Sequence, residues 1–410
     1  MNSLGFSGAT RRLLATSVVA QLPLGMLGIG LLVHTQRLTG SFAVAGLVTG
    51  VYAISVGVGG PPLGHLVDRG RQTGVLLASA GAGTALLGIA AILPAHPPVT
   101  TLLALATGIG LATPPVGACL RAQLPALLPD PAALNGAYAV ETSVVELCWV
   151  CGPPLVLGFG ALWSTGGALA VSGLILLVAT AAFAAQPASR ARHPHPSVRG
   201  RRGGALSTPA MRILTVLLLG VGLLLGADEV AVTATARAID GSTAAAAPLL
   251  ALWGAGSFAG GLALARIGGA RNAAALALLL FALTVGQLAL IPAAGAIVVL
   301  GAVLFITGGA IAPTETTVYA MVEGAAPPGT ITEAFAWLDG AIAAGGAAGA
   351  AVAGVVVDTA GATTVFALAG AAGALTTLTA IARRRTLARA AVGFRLEDDA
   401  PGDVPCPSVS

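Results

Sequence analysis

The chain has 410 residues, 56% of them hydrophobic and 9% charged, with a mean hydropathy of +0.91. A water-soluble protein of this length does not carry that balance, so an integral membrane protein is expected. The net charge is +4 and the pI near 9.2, yet all 20 basic residues are arginines; without lysine the chain has no P-loop ATPase site, retinal Schiff base or pyridoxal lysine, and its energy source is a gradient or a partner.

The apolar runs are long and lack the alternation of barrel strands, which predicts an all-α membrane protein, because lipid tolerates only helices and closed barrels. In the first half the predicted spans run from Arg12 to Val33, Phe42 to Leu63, Val75 to Leu93, Val99 to Leu120, Leu134 to Gly160 and Gly166 to Ala185. In the second they run from Ile213 to Ala236, Ala244 to Ala265, Ala273 to Ile291, Ala296 to Met321, Glu333 to Val356 and Ala362 to Ile381. This divides the chain into an N-terminal six-helix half (1–185), a linker (186–211), a C-terminal six-helix half (212–382) and a tail (383–410). The linker is rich in Pro, Gly, Ser and Arg and reads as mobile, and the polar, acidic end from Glu397 to Ser410 reads as disordered.

The two halves are copies. The charged turn Gly64-His65-Leu66-Val67-Asp68-Arg69-Gly70-Arg71 returns in degraded form, 197 residues later, as Gly261-Leu262-Ala263-Leu264-Ala265-Arg266-Ile267-Gly268. The same offset relates Ala137-Tyr138-Ala139 to Ala334-Phe335-Ala336 and Gly152 to Gly349, and an offset of 198 relates Pro115 and Pro129 to Pro313 and Pro327.

Arginine placement predicts orientation, since short cytoplasmic loops collect positive charge. With the N-terminus in the cytoplasm, 18 arginines lie on that side and only Arg37 and Arg237 outside. A multi-pass protein of the bacterial cytoplasmic membrane with both termini cytoplasmic is therefore expected, and the basic pI is a topology signal that does not imply nucleic-acid binding. The Arg11-Arg12 pair ahead of an apolar run resembles a twin-arginine export signal, but eleven further spans favour a retained first helix. Cys148 and Cys151 form a C-x-x-C on one face of the fifth span; with no second pair they read as small hydrophobes, and no metal or cofactor is expected. Gly220, Gly222, Gly345 with Gly349, and Gly346 with Gly354 read as sites of close helix contact.

Twelve spans in two parallel repeats, a basic central loop and the Gly64-x-x-x-Asp68-Arg69 turn resemble the major facilitator superfamily. Glu146 followed by Gly152-Pro153, and Thr332-Glu333-Ala334-Phe335-Ala336-Trp337, resemble its bacterial drug-efflux-type and uncharacterised members. Three positions depart from the family pattern: Gly70 and Arg71 fall one residue early, and Cys148 stands where antiporters usually have glycine. The resemblance implies that spans 1, 4, 7 and 10 line a cavity, that 2, 5, 8 and 11 flank it, and that 3, 6, 9 and 12 face outward. It also implies that Gly64, Asp68, Arg69 and Arg71 form part of a cytoplasmic gate.

Ionisable residues fall accordingly: none in spans 3, 6, 9 and 12, but Glu141 and Glu146 in span 5, Asp228 and Glu229 in span 7, Glu315 in span 10 and Asp339 in span 11. A charge at bilayer depth costs about 2.5–3.5 kcal/mol even on lenient scales, so these are the proton or substrate candidates, together with the amide Gln21 of span 1. Glu146 lies near the midplane, six residues before Gly152-Pro153, where proline removes a backbone donor and can bend the helix. Glu229 is preferred over Asp228 for the cavity because neighbours on a helix point about 100° apart. Glu141, Glu315 and Asp339 fit carboxyls bonded to neighbouring helices. The second copy lacks both Asp68 and Arg121, which predicts an Asp68–Arg121 pair at the gate.

The function expected is secondary active transport of a small organic solute by alternating access, as proton-coupled export and without enzymatic chemistry. Import of a metabolite and a non-transporting scaffold or sensor are the alternatives. The partners expected are the bilayer, the solute and protons, the unit a monomer. Aromatic residues make up only 4% of the chain, which disfavours large planar cations as cargo.

Overall fold

The computed structural model describes residues 6–70, 72–190, 204–240, 246–267 and 272–392. Within them, twelve helices are long and apolar enough to cross a membrane. Spans 1 to 6 are Gly8–Thr39, Phe42–Arg69, Gln72–Ala91, Val99–Leu127, Pro131–Leu162 and Thr165–Ala184; spans 7 to 12 are Pro209–Ile239, Ala246–Arg266, Ala273–Ala293, Ile297–Tyr319, Ile331–Ala360 and Ala362–Ala382. The side on which span 1 begins is called proximal below, the other distal.

Polar residues at the span ends satisfy backbone groups that a helix leaves free. The side chains of Ser7, Ser41, Asp130, Ser164 and Asn272 accept N–H groups from the first turns of spans 1, 2, 5, 6 and 9, at 2.7–3.3 Å. Span 1 stops at Gly40, whose φ of 73° is open to glycine and strained for other residues.

Spans 4 and 10, expected as single runs, are broken at matching depths. Span 4 is helical over Val99–Leu111, Val116–Arg121 and Leu124–Leu127; Pro114 and Pro115, lacking N–H groups, interrupt its ladder. Span 10 is helical over Ile297–Gly308 and Ile311–Tyr319, with Pro313 just past the break. Span 5, by contrast, continues as helix through Pro153 and Pro154.

Small residues set the packing. Side-chain atoms at Gly345 or Gly349 would run into the backbone of Leu219 and Leu223, which holds spans 11 and 7 together; Gly220 and Gly222 are likewise closed in by Thr376 and Ile342. Gly346 presents its carbonyl to Gly226, but Gly354 faces open space and has no such role, contrary to expectation. Gly25 and Gly152 lie backbone to backbone and join spans 1 and 5. Cys148 and Cys151 do not share surroundings: Cys148 is buried and directs its thiol to the Val18 carbonyl at 3.6 Å, while Cys151 is exposed.

The expected mobile linker is ordered at both described ends. Pro187–Arg190 is helical, with Ser189 accepting from Gln72 at 2.7 Å; a 3-10 turn covers Ala205–Ser207, and span 7 starts at Pro209 with the Thr208 hydroxyl donating to the Ala325 carbonyl. These polar anchors, set among apolar neighbours, hold what composition alone reads as loose. Residues 191–203 and the segment from Glu397 to Ser410 lie outside the described residues.

Candidate functional site

Span 11 begins without a local cap, since Thr330 makes no side-chain bond to its first turn. Asp68, at the end of span 2, takes that role from the other half: its Oδ1 accepts the Thr332 N–H at 3.2 Å and its Oδ2 the Glu333 N–H at 2.9 Å. A carboxylate there also meets the positive end of the helix dipole. Gly64, one turn earlier, permits the approach, because a Cβ on it would sit 2.9 Å from the Glu333 Cα. Glu333 in turn pairs through Oε2 with His65 Nδ1 at 2.8 Å and accepts the Ala205 N–H through Oε1 at 3.1 Å. Arg69 is exposed, and Arg71 lies outside the described residues.

Arg121 does not pair with Asp68 as expected. Its Nε and Nη2 donate to both oxygens of Glu141 at 3.0 and 3.1 Å, and its Nη1 donates to Asp339 Oδ1, in the other half, at 2.6 Å. The planar guanidinium suits a forked bond to one carboxylate with a donor to spare. Its Cζ also stacks 4.2 Å from the centre of the Tyr319 ring, with Phe335 beyond at 6.0 Å. Asp68 is already committed to the span 11 N-terminus, which explains why two charges that vanish together in the second copy do not touch through these bonds: each faces the C-terminal half.

Towards the midplane the acids converge. Glu146 is half-buried and faces Ser257 of span 8 and Glu229 of span 7; the Ser257 hydroxyl also accepts the Ala312 N–H at 3.2 Å. Glu315 lies within electrostatic range of Glu146, Arg121, Asp339 and Glu141. Glu229 is exposed, while its neighbour Asp228 is wholly buried and bonded to Gln287 of span 9. Gln21 stays within span 1, donating to Ser17 Oγ at 3.1 Å, and its Oε1 faces Gly117 of span 4.

The structure thus gathers Glu141, Asp339 and Glu315 around Arg121, with Glu146 in range of Glu315 and Glu229 in range of Glu146, and it directs Asp228 to span 9 instead. Among the described residues, four side-chain links between the halves lie in the proximal half: His65 with Glu333, Arg121 with Asp339, Thr316 donating to Thr142, and Asp68 accepting from span 11. Close backbone packing of Gly57 on Gly340 continues that seal towards the midplane. Sequence reasoning passed over Ser257 and Gln287, although a lone glutamine in an otherwise apolar span was a usable signal.

The family model described as Major Facilitator Superfamily matches residues 13–338. A search of curated proteins finds no match. Among solved structures, the human organic anion transporter MFSD10 (TETRAN) is similar at a TM-score of 0.71 and 18% identity, with 91% of this chain and 100% of that one covered. A bacterial homologue of the iron transporter ferroportin, in an outward-facing state, is similar at a TM-score of 0.71 and 13% identity, covering 92% and 99%. The same homologue with soaked iron gives 0.68, 14%, 91% and 98%.

Proposed function

The chain belongs to the major facilitator superfamily and is a membrane transporter, and on that premise we propose that it exports a small organic solute in exchange for protons. The two halves, 1–185 and 212–382, rock about a midplane site; the proximal side is cytoplasmic by the arginine bias, and the proximal seal corresponds to an outward-open state. Glu146 and Glu229 are the acids that exchange protons with the cavity. Gly152 and Pro153, just distal to Glu146, give span 5 the place where its backbone can yield, since Pro153 cannot donate to the Trp149 carbonyl.

The observation that carries this reading is the convergence of Glu146, Glu229 and Glu315 near the midplane, where Arg121, the cation beside them, is already engaged by Glu141 and Asp339. Carboxyls that share a cleft without counter-charges hold and release protons as the cleft dries and floods. An acid-lined cavity also favours neutral or cationic solutes over anions. Gln21 and the exposed edge of Asp339 supply polar contacts for such a solute.

The test is reconstitution of the full chain in liposomes with a lumen acidified relative to the bath. A panel of small neutral and cationic organics is then offered, with proton efflux read by a lumenal dye. Solute-dependent efflux that collapses with an ionophore supports exchange. Solute entry that is indifferent to the pH gradient contradicts it.

A further inference from the structure

Asp228 has surroundings unlike those of the other acids. It is 0% exposed, whereas Glu229, the next residue, is exposed. The side chain is directed to span 9, where Gln287, 3% exposed, donates from Nε2 to Asp228 Oδ2 at 2.5 Å. Two oxygens in this pair, Asp228 Oδ1 and Gln287 Oε1, are buried and have no hydrogen-bond partner.

Among the described residues, no cation is paired with the carboxyl. Span 12, which packs on span 7, and span 9, whose Gln287 reaches Asp228, contain no ionisable residue. Span 11 faces this level with Gly346 and Gly349, and its acids Glu333, Asp339 and Asp358 sit at other depths. On span 8 the only ionisable residue, Arg266, is at the proximal end. The charged group that acts on Asp228 is Glu229, of the same sign.

The donor count decides what is missing. An ionised carboxylate only accepts, and so does the oxygen of an amide, so two unmet acceptors stand together in a dry pocket. An unmet buried acceptor keeps its full desolvation penalty, and an unpaired buried charge costs more still. One hydrogen on Oδ1, donated to Gln287 Oε1, satisfies both oxygens at once. Together with the existing Nε2–H to Oδ2 bond it makes a reciprocal acid–amide pair. A hard metal cation would instead collect about six oxygens. Here two are free, and the nearby Thr284 hydroxyl is already spent on the Leu280 carbonyl and Thr377.

We propose that Asp228 and Gln287 form a proton-binding site in the C-terminal half, off the central cavity, in which Asp228 is held as the neutral carboxylic acid. Gln287 is its positioning residue. The site does not depend on Glu146 acting as the coupling acid, because the two carboxyls occupy different pockets.

The test is infrared spectroscopy of the full-length protein in lipid nanodiscs at neutral pH, with carbon-13 in the aspartate carboxyls. The expected result is a carboxylic-acid C=O band that shifts with the label, is lost in Asp228→Asn and is kept in Glu146→Gln and Glu229→Gln. In Gln287→Leu the band moves to higher frequency as its hydrogen bonds are lost. Absence of any aspartate-labelled acid band in the unsubstituted protein overturns the proposal, and that measurement needs no variant to fold. So does survival of the band in Asp228→Asn.

Discussion

Arg121 and Asp339 meet across the interface of the two halves at 2.6 Å, but they are not equivalent partners: the arginine side chain is 5% exposed and the aspartate 41%. Arg121 belongs to its own half through the forked bond to fully buried Glu141, and it lends its remaining donor to span 11. In the proposed alternating-access cycle, the guanidinium keeps Glu141 and loses Asp339 when the proximal side opens. The pair is therefore a latch, and the Arg121–Glu141 pair is part of the frame. Asp339→Asn is expected to favour the proximal-open state with little change in melting temperature. Distances between spin labels across the proximal face read that shift; an unchanged distribution argues against a latch.

The opposite behaviour is expected of Arg121→Gln, which leaves Glu141 buried without a counter-charge. Breaking a buried pair by removing one partner costs about 3–5 kcal/mol. A fall in thermal stability should follow, and Arg121→Gln with Glu141→Gln should recover much of it, since no lone charge then remains. If the double variant is less stable than Arg121→Gln, the charge argument fails.

Asp68 acts as a helix cap supplied by a different part of the chain. Replacing a capping side chain by alanine costs about 1 kcal/mol, roughly five-fold in a two-state population. In the proposed cycle the loss falls on the proximal-closed state alone, because opening that side would part the cap from the helix. Asp68→Ala is expected to raise alkylation of a single cysteine at Ala336 several-fold. The control Arg69→Ala, at an exposed residue, is expected to leave it unchanged.

Glycine contacts between the halves allow a steric test. A Cβ on Gly340 would lie 2.7 Å from the Gly57 carbonyl, whereas one on Gly354 meets nothing within 4 Å. Gly340→Leu is expected to wedge spans 2 and 11 apart and abolish transport while leaving membrane insertion intact. Gly354→Leu should transport normally. Equal activities in the two variants would count against the close-packed seal.

Much of the architecture was legible because it rests on local properties. Runs of apolar residues mark the spans, Ser, Asp and Asn mark their starts, and the offset between copies marks the two halves. What escaped was decided by pairs far apart in the chain. Asp68 was legible as a gate candidate, but its acceptance of the Thr332 and Glu333 N–H groups depends on how the halves dock. The assignment of Arg121 to Asp68 rested on joint loss in the copy, which two separate contacts with the other half explain equally well. Gln287 was overlooked because an amide in an apolar run carries no charge to draw notice, though burial makes its bond to Asp228 the more consequential. The breaks in spans 4 and 10 were visible as Pro114-Pro115 and Gly308-Gly309, yet proline elsewhere leaves helices continuous, as at Pro153.

Glu146 remains the strongest candidate for the coupling proton, because it stands near the middle of span 5, faces Ser257 of the opposite half and shares electrostatic range with Glu229 and Glu315. In the proposed exchange, a proton gained there lowers the repulsion among three carboxyls, so that protonation and closure of the cleft favour each other. Glu146→Gln fixes the neutral form. It is expected to fold and insert, to exchange solute down a solute gradient, and to lose accumulation driven by a pH gradient. Glu315→Gln, whose carboxyl sits nearer the Arg121 cluster, is expected to alter the rate of exchange while preserving coupling. A purely structural Glu146 predicts another pattern, in which both modes fall together with expression or neither changes. Wild-type pH dependence of transport in Glu146→Gln would move the coupling role to Glu229, the exposed acid on the facing span.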